Sequence, residues 1–244
     1  MLKTPTNSMT PQNTAAGLVL KGFTPPGRLA DFKLIAFDMD STLINIECID
    51  EIADMVSLKA EVAAITEATM RGDITDFKTS LRRRVALLKG VDVQAMQRVY
   101  TERLQLNPGA AELVAACKKA GMKTLLVSGG FTFFANRVAE RLGIDYTKSN
   151  ELAIDEGVLT GGLVNQTWGD ICDGEEKRKT LLETCALLGI SPSQSIAMGD
   201  GANDLPMMGA AGLSVAYHAK PKVREQAMVA INNGGLDRLL EVLT

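Results

Sequence analysis

Asp38 and Asp40 stand two residues apart, directly after the apolar run Leu34-Ile35-Ala36-Phe37. If the chain stays extended there, both side chains project to one side and two carboxylates share a small space. Like charges that close resist joint ionisation unless a cation or a proton intervenes. A second acidic group, Gly199-Asp200-Gly201-Ala202-Asn203-Asp204, follows the apolar run Ser195-Ile196-Ala197-Met198 and opens a helix near Asn203. Each pair read alone also fits a turn, or a charge at a helix start. Four carboxylates at two like-placed strand ends ask for a hard, oxygen-seeking cation, and Mg²⁺ shared between carboxylates and phosphate oxygens fits. Zinc does not fit, because His218 is the only histidine and Cys48, Cys117, Cys172 and Cys185 form no CxxC pair. Between the acidic groups, Ser128-Gly129-Gly130 offers a hydroxyl and unhindered backbone N–H groups of the kind that hold a phosphate. A Gly-Gly pair also makes an ordinary turn. Lys177 and Lys179 lie at the start of a helix, where the dipole does not favour a cation. Either one faces an anion or both are solvated.

These residues need a scaffold. Leu34–Phe37, Thr124–Val127, Ser195–Met198 and Leu213–Ala216 are strand-length runs, apolar on both faces, as doubly covered parallel strands are. Helical stretches at Ala110–Ala120, Phe133–Leu142 and Glu175–Leu188 stop at Gly121, Gly143 and Gly189. The alternation predicts an α/β fold with a doubly wound, Rossmann-like parallel sheet, whose ligands sit at the carboxyl ends of the strands. From Ile46 to Leu104 only helix patterns occur, with apolar stripes at Ile46-Ile49-Ile52-Ala53-Val56 and Phe77-Leu81-Val85-Leu88. About sixty residues are too many for a simple crossover. The expected organisation is a flexible N-terminal tail at 1–30, a core at 31–45 and 106–244, and an all-helical cap at 46–105. A small hairpin, Leu152–Thr160, should turn at Glu156-Gly157.

Composition narrows the classes of function. Across 244 residues, 26 Lys and Arg against 29 Asp and Glu leave a net charge of -3. Such a balance leaves no footprint for nucleic acid. No apolar run approaches the roughly 18 residues of a membrane span, and Ala15–Leu20 lacks the flanks of a signal peptide. A chain of this size needs no disulfide staples, so the cysteines read as reduced thiols of a cytoplasmic protein. Oligomeric state leaves no mark in the sequence.

Asp38-Met39-Asp40-Ser41-Thr42, Ser128-Gly129-Gly130, a lysine ahead of the last motif, and Gly199-Asp200-Gly201-Ala202-Asn203-Asp204 resemble, in order and position, the four signature motifs of the haloacid dehalogenase-like hydrolases. The resemblance runs from about Lys33 to the C-terminus. Within that superfamily the chain is similar to the phosphoserine phosphatases, on Asp38–Ile44 leading to Glu47 and Ile49-Asp50-Glu51, on Ser80–Val85, and on Val127–Phe131. The resemblance implies Mg²⁺-dependent hydrolysis of phosphoserine, the last step of serine biosynthesis, through an aspartyl-phosphate. Asp38 would be the nucleophile and Asp40 the general acid and base. Mg²⁺ would be held by Asp38, the backbone carbonyl of Asp40 and Asp200, with Asp204, Asn203 and Thr42 supporting. Ser128, Gly129 and Lys177 would bind phosphate oxygens, with Lys179 as the fallback for the lysine. Glu47 would take the substrate ammonium and Arg84 its carboxylate. Along a helix Arg82 and Arg84 point about 200° apart, so only one faces the pocket. Phe77, Met70 and Phe131 fit either the pocket lining or the core, and His218 a loop. The rival activities are a phosphatase or phosphotransferase for another small phosphomonoester and, in a different class, a non-enzymatic phospho-receiver module. Asp40 and the cap insertion argue against the receiver.

Overall fold

The computed structural model describes residues 12–244 apart from Pro26, Gly72 and Thr75. The chain opens with strands β1 (Gln12–Ala15), β2 (Leu18–Leu20) and β3 (Leu34–Phe37). Four helices follow: α1 (Cys48–Met55), α2 (Lys59–Arg71), α3 (Phe77–Leu87) and α4 (Gln94–Arg98). Then come α5 (Ala110–Lys119), β4 (Lys123–Phe131), α6 (Thr132–Leu142), β5 (Tyr146–Asn150) and a hairpin of β6 (Leu152–Asp155) and β7 (Val158–Leu163). The last part holds α7 (Gly174–Leu188), β8 (Ser195–Gly199), α8 (Leu205–Ala210), β9 (Leu213–Tyr217), α9 (Pro221–Gln226) and β10 (Val229–Ile231).

Every residue of β3, β8 and β9 is buried, because the sheet is covered on both faces. Strand alternation sorts these residues into two cores. Ile35, Phe37, Leu126, Ile196 and Met198 pack with Leu113 and Val114 of α5 and with Phe134 and Val138 of α6. Leu34, Ala36, Leu125, Val127 and Ala197 pack with Leu181 and Cys185 of α7 and with Met207 and Met208 of α8. Among the described residues the larger sheet has eight strands in the order β1-β2-β10-β9-β8-β3-β4-β5. β10, β9, β8, β3, β4 and β5 are parallel neighbours. The chain leaves β3 for β4 on one side and returns to β8 on the other, so a crevice opens at the ends of β3 and β8.

The N-terminal stretch departs from the flexible tail expected from its composition. β1 and β2 form a hairpin, and β2 pairs antiparallel with β10, using backbone groups that β10 would otherwise leave open. Leu18 and Leu20 are buried beneath it. Farther on, Gly27 N–H donates to Val242 O at 2.9 Å and Leu29 N–H to Thr244 O at 3.0 Å, which ties this stretch to the C-terminus. Residues 1–11 lie outside the described residues.

Among the described residues, 46–105 contain helices and no strand. The β6–β7 hairpin turns at Glu156-Gly157, where both residues have positive φ. It belongs by contact to the helical insertion rather than to the sheet, since Leu159 N–H donates to Val91 O at 2.8 Å and Val93 N–H to Gly157 O at 3.0 Å. The four cysteines are buried and unbridged. Among the described residues no helix is long and apolar enough to cross a membrane.

Candidate active site

Asp38 prolongs β3 by one residue. Its backbone is extended and its N–H donates to Met198 O at 2.9 Å, which keeps it in the ladder with β8. The chain then bends through Met39–Leu43, where Ser41 takes φ 56° and ψ 1°. A left-handed serine costs roughly 1–2 kcal/mol. Its hydroxyl, which donates to Glu47 Oε1 at 2.6 Å, offsets part of that.

Lys177, in the first turn of α7, is fully buried, and its ammonium donates to Asp38 Oδ1 and to Asp204 Oδ1, both at 2.6 Å. A buried ammonium persists only when paired. Asp204 is held from its other oxygen by the Gly201 N–H at 3.0 Å. Asp38, Asp200 and Asp204 each bring an oxygen within 4.8 Å of the others. Three carboxylates around one ammonium leave two surplus negative charges. Burial, and then the Asp204 charge, push the Asp38 carboxyl well above its usual range despite Lys177. Asp200 is pushed up to about 7 by burial and then by the charges of Asp204 and Glu47. Burial acts to lower the Lys177 ammonium, but Asp204 and Asp38 outweigh it and raise it. The lysine therefore stays charged, and the donor set is all oxygen with charge to spare. A hard divalent cation fits these residues.

Asp40 lies beside this cluster, half-buried, with its carboxylate turned toward α1. Cys48 N–H donates to Oδ2 and Cys48 Sγ to Oδ1, each at 3.2 Å. Burial and then the Glu47 charge push Asp40 up to about 7, with the two Cys48 bonds opposing. A carboxyl poised there can both give and take a proton near neutrality. Burial, with the Asp40 charge, raises the Cys48 thiol well above its ordinary value and keeps it protonated.

The end of β4 supplies the facing wall. Ser128 is buried and its Oγ accepts from Gly130 N–H at 2.9 Å. A Cβ on Gly129 would lie 2.8 Å from the Phe77 ring of α3, so the missing side chain lets the insertion close over this loop. Asn150, at the end of β5, donates to Gly129 O at 2.8 Å and accepts from Cys172 N–H at 2.8 Å.

The sequence matches the haloacid dehalogenase-like hydrolase family over residues 35–209. The chain belongs to the haloacid dehalogenase-like hydrolases. It groups there with the phosphoserine phosphatases. It is 72% identical over 235 residues to the phosphoserine phosphatase of Polaromonas sp., which covers 96% of this chain and 100% of that one. A solved substrate-bound phosphoserine phosphatase complex superposes with a TM-score of 0.80 at 37% identity, covering 87% of this chain and 99% of the other. A phospho-aspartyl intermediate analogue of phosphoserine phosphatase matches with the same figures.

The remaining candidates lie in several different surroundings. Arg84 on α3 is half-buried and its Nε, out of solvent, has no hydrogen-bond partner. Burial lowers the guanidinium, and Asp50, Glu47 and Asp40 raise it, so it lies within the field of the acidic recess. Asp50 Oδ1 is likewise buried and unpartnered. Arg82 and Arg83 are exposed, and Arg82 pairs with Asp170 across the boundary between insertion and sheet domain. Glu47 is exposed at the start of α1. Thr42 is buried with its hydroxyl unpartnered, and Asn203 lies in a short turn whose carboxamide abuts Gly201. Lys179 is exposed beside Glu176 and Glu183, away from the carboxylates. Phe131 is core, His218 is exposed with Nε2 2.9 Å from Gly234 O, and the side chain of Met70 lies outside the described residues. Cys48 and Asn150 carry no signal in the sequence: one is a lone thiol, the other the last residue of a polar edge strand.

Proposed function

We propose that this hydrolase cleaves O-phosphoserine to serine and phosphate through a phosphoryl group carried on Asp38. Mg²⁺ suits the oxygen donors, with Asp38 and Asp200 binding through their carboxylates, Asp40 through its backbone carbonyl, and Asp204 and Asn203 supporting. When bound, it supplies the positive charge that lets an anionic phosphate approach the carboxylates. An Asp38 oxygen attacks phosphorus and the bond from phosphorus to the serine oxygen breaks, while Asp40 gives its proton to that oxygen. Asp40 then takes a proton from the water that attacks the phosphoryl group, and Asp38 is released. Ser128, the Gly129 backbone and Lys177 hold the phosphate oxygens. The helical insertion, closed over Gly129 by Phe77, acts as the cap that excludes bulk water.

Arg84 carries the choice of substrate. A half-buried guanidinium with an unpartnered Nε, within the field of Asp50, Glu47 and Asp40, calls for an anion on the same small molecule as the phosphate. A carboxylate answers it, and Glu47 suits the neighbouring ammonium. In the cell this would be the last step of serine biosynthesis, in a cytoplasm that keeps the four buried thiols reduced.

The test is a phosphate-release panel of small phosphomonoesters that includes both enantiomers of serine phosphate. Serine phosphate should be preferred, and Arg84→Ala should lower its kcat/KM on the order of a hundredfold. The loss on an aryl phosphate should stay below about fivefold, because no carboxylate is there to be read. Equal losses on both substrates would show that Arg84 reads no carboxylate.

A further inference from the structure

The thiol of Cys48 has no part in the chemistry above, yet Cys48 occupies both oxygens of the Asp40 carboxylate. Its Sγ donates to Oδ1 and its backbone N–H to Oδ2, each at 3.2 Å. Cys48 is 0% exposed, so the thiol has no water to turn to. The Gly130 backbone also stands so close that a Cβ there would lie 3.2 Å from Asp40 Oδ2 and 3.1 Å from Met39 Cε. The last torsion of an aspartate is broad and roughly two-fold, so a single hydrogen bond leaves the carboxylate free to swing. A grip on both oxygens, with the Gly130 backbone close by, does not. Each carboxylate oxygen has two acceptor sites, so one on each remains open.

We propose that Cys48 is a positioning residue: its thiol holds the Asp40 carboxyl in the orientation from which the proton reaches the leaving oxygen. This rests on Asp40 being the general acid. In that step the bond from phosphorus to the leaving oxygen breaks, a bond from Asp38 to phosphorus forms, and the Asp40 proton moves to the leaving oxygen.

The experiment uses the full-length, Mg²⁺-loaded protein with phenyl phosphate and p-nitrophenyl phosphate. The two are alike in shape, but phenolate needs a proton on departure far more than nitrophenolate does. Cys48→Ala removes the thiol and keeps the N–H. It should lower kcat/KM for phenyl phosphate about fivefold to tenfold, the scale of one neutral hydrogen bond, with little change in KM. The loss on p-nitrophenyl phosphate should be smaller. Cys48→Ser, which restores a donor, should return the ratio of the two values toward that of the parent. That ratio does not depend on how much of a variant is folded. Asp40→Asn tests the reading beneath, and should also cost phenyl phosphate more than p-nitrophenyl phosphate. If it costs both equally, Asp40 is not the acid and the site reading falls with the proposal. If Asp40→Asn discriminates while Cys48→Ala lowers both substrates equally, or Cys48→Ser leaves the ratio unrestored, only the role of Cys48 is overturned.

Discussion

Replacing Lys177 by methionine removes an ammonium buried among the carboxylates while keeping most of its volume. Lys177 is fully buried and bonded at 2.6 Å to both Asp38 and Asp204. Breaking a buried pair from one side costs about 3–5 kcal/mol, because the partner is left charged and unpaired. For a chain of this size each kcal/mol moves the midpoint of melting by about 2–4 °C, so Lys177→Met should melt roughly 10 °C below the parent in chelator at pH 7.5. The deficit has a ceiling. Asp38 is already pushed upward, and the variant can take up a proton instead of leaving a bare charge. One extra proton retained by the folded variant makes its deficit grow by about 1.4 kcal/mol per pH unit as pH rises, and shrink as pH falls toward 5. Saturating Mg²⁺ should also narrow the gap, since a cation among the carboxylates restores positive charge that the variant has lost. Calorimetric melts of both proteins across pH, with chelator and with Mg²⁺, test all three statements. A variant melting within about 2 °C of the parent in chelator, with no trend in pH, would refute the view that Lys177 holds mutually repelling carboxylates together.

Three further expectations follow from the same charges and contacts. Asp38→Asn should abolish turnover of serine phosphate while leaving the secondary structure intact by circular dichroism; near-normal turnover would overturn the assignment of Asp38 as nucleophile. Asp38 and Asp200 are raised in the folded state, so the folded protein binds more protons than the unfolded chain above pH 4, and metal-free stability should fall as pH rises through about 7. Mg²⁺ should flatten that fall, and melts in chelator that rise from pH 5.5 to 8 would reverse the sign. Gly199→Ala would drive a Cβ into the Asp204 carboxylate. A Mg²⁺ titration by calorimetry should show affinity lowered by about tenfold or more, the scale seen when groups supporting a metal ligand are disturbed.

The buried strands were legible because a strand covered on both faces must be apolar on both. β3, β8 and β9 are buried throughout. β5 was not, because Tyr146-Thr147-Lys148-Ser149-Asn150 is a sheet edge, partly exposed and polar. β10 has only three residues, too few to show a period, and β2 gains its place only through pairing with β10. The acidic residues could be singled out because they follow apolar runs, and Asp38, Asp200 and Asp204 do meet in space. The resemblance, by spacing to Asp200, favoured Lys177 and kept Lys179 as the fallback. Both precede the last motif, and only the packing of α7 buries the first and exposes the second. The hold of Asn150 on the Gly129 carbonyl was invisible for another reason: it depends on the register of an edge strand that the composition does not announce.

The insertion and the sheet domain share their junction with the chemistry. α1 begins at Cys48, and the same few residues serve three ends. Glu47 binds the Ser41 hydroxyl that steadies the left-handed turn, Cys48 grips Asp40, and Asp50 faces Arg84 through space. A movement of α1 would therefore reach the acidic neighbours of Arg84 and the Asp40 carboxyl together. Phe77 over Gly129, the half-buried Lys78–Asp173 pair and the exposed Arg82–Asp170 pair are the contacts that such a movement must break on the far side of the crevice. Exposed ion pairs are worth at most about 1 kcal/mol each. On the proposed reading of the insertion as a cap, contacts this weak at its rim let it open for each substrate while the Cys48 bonds to Asp40 keep α1 joined to the end of β3.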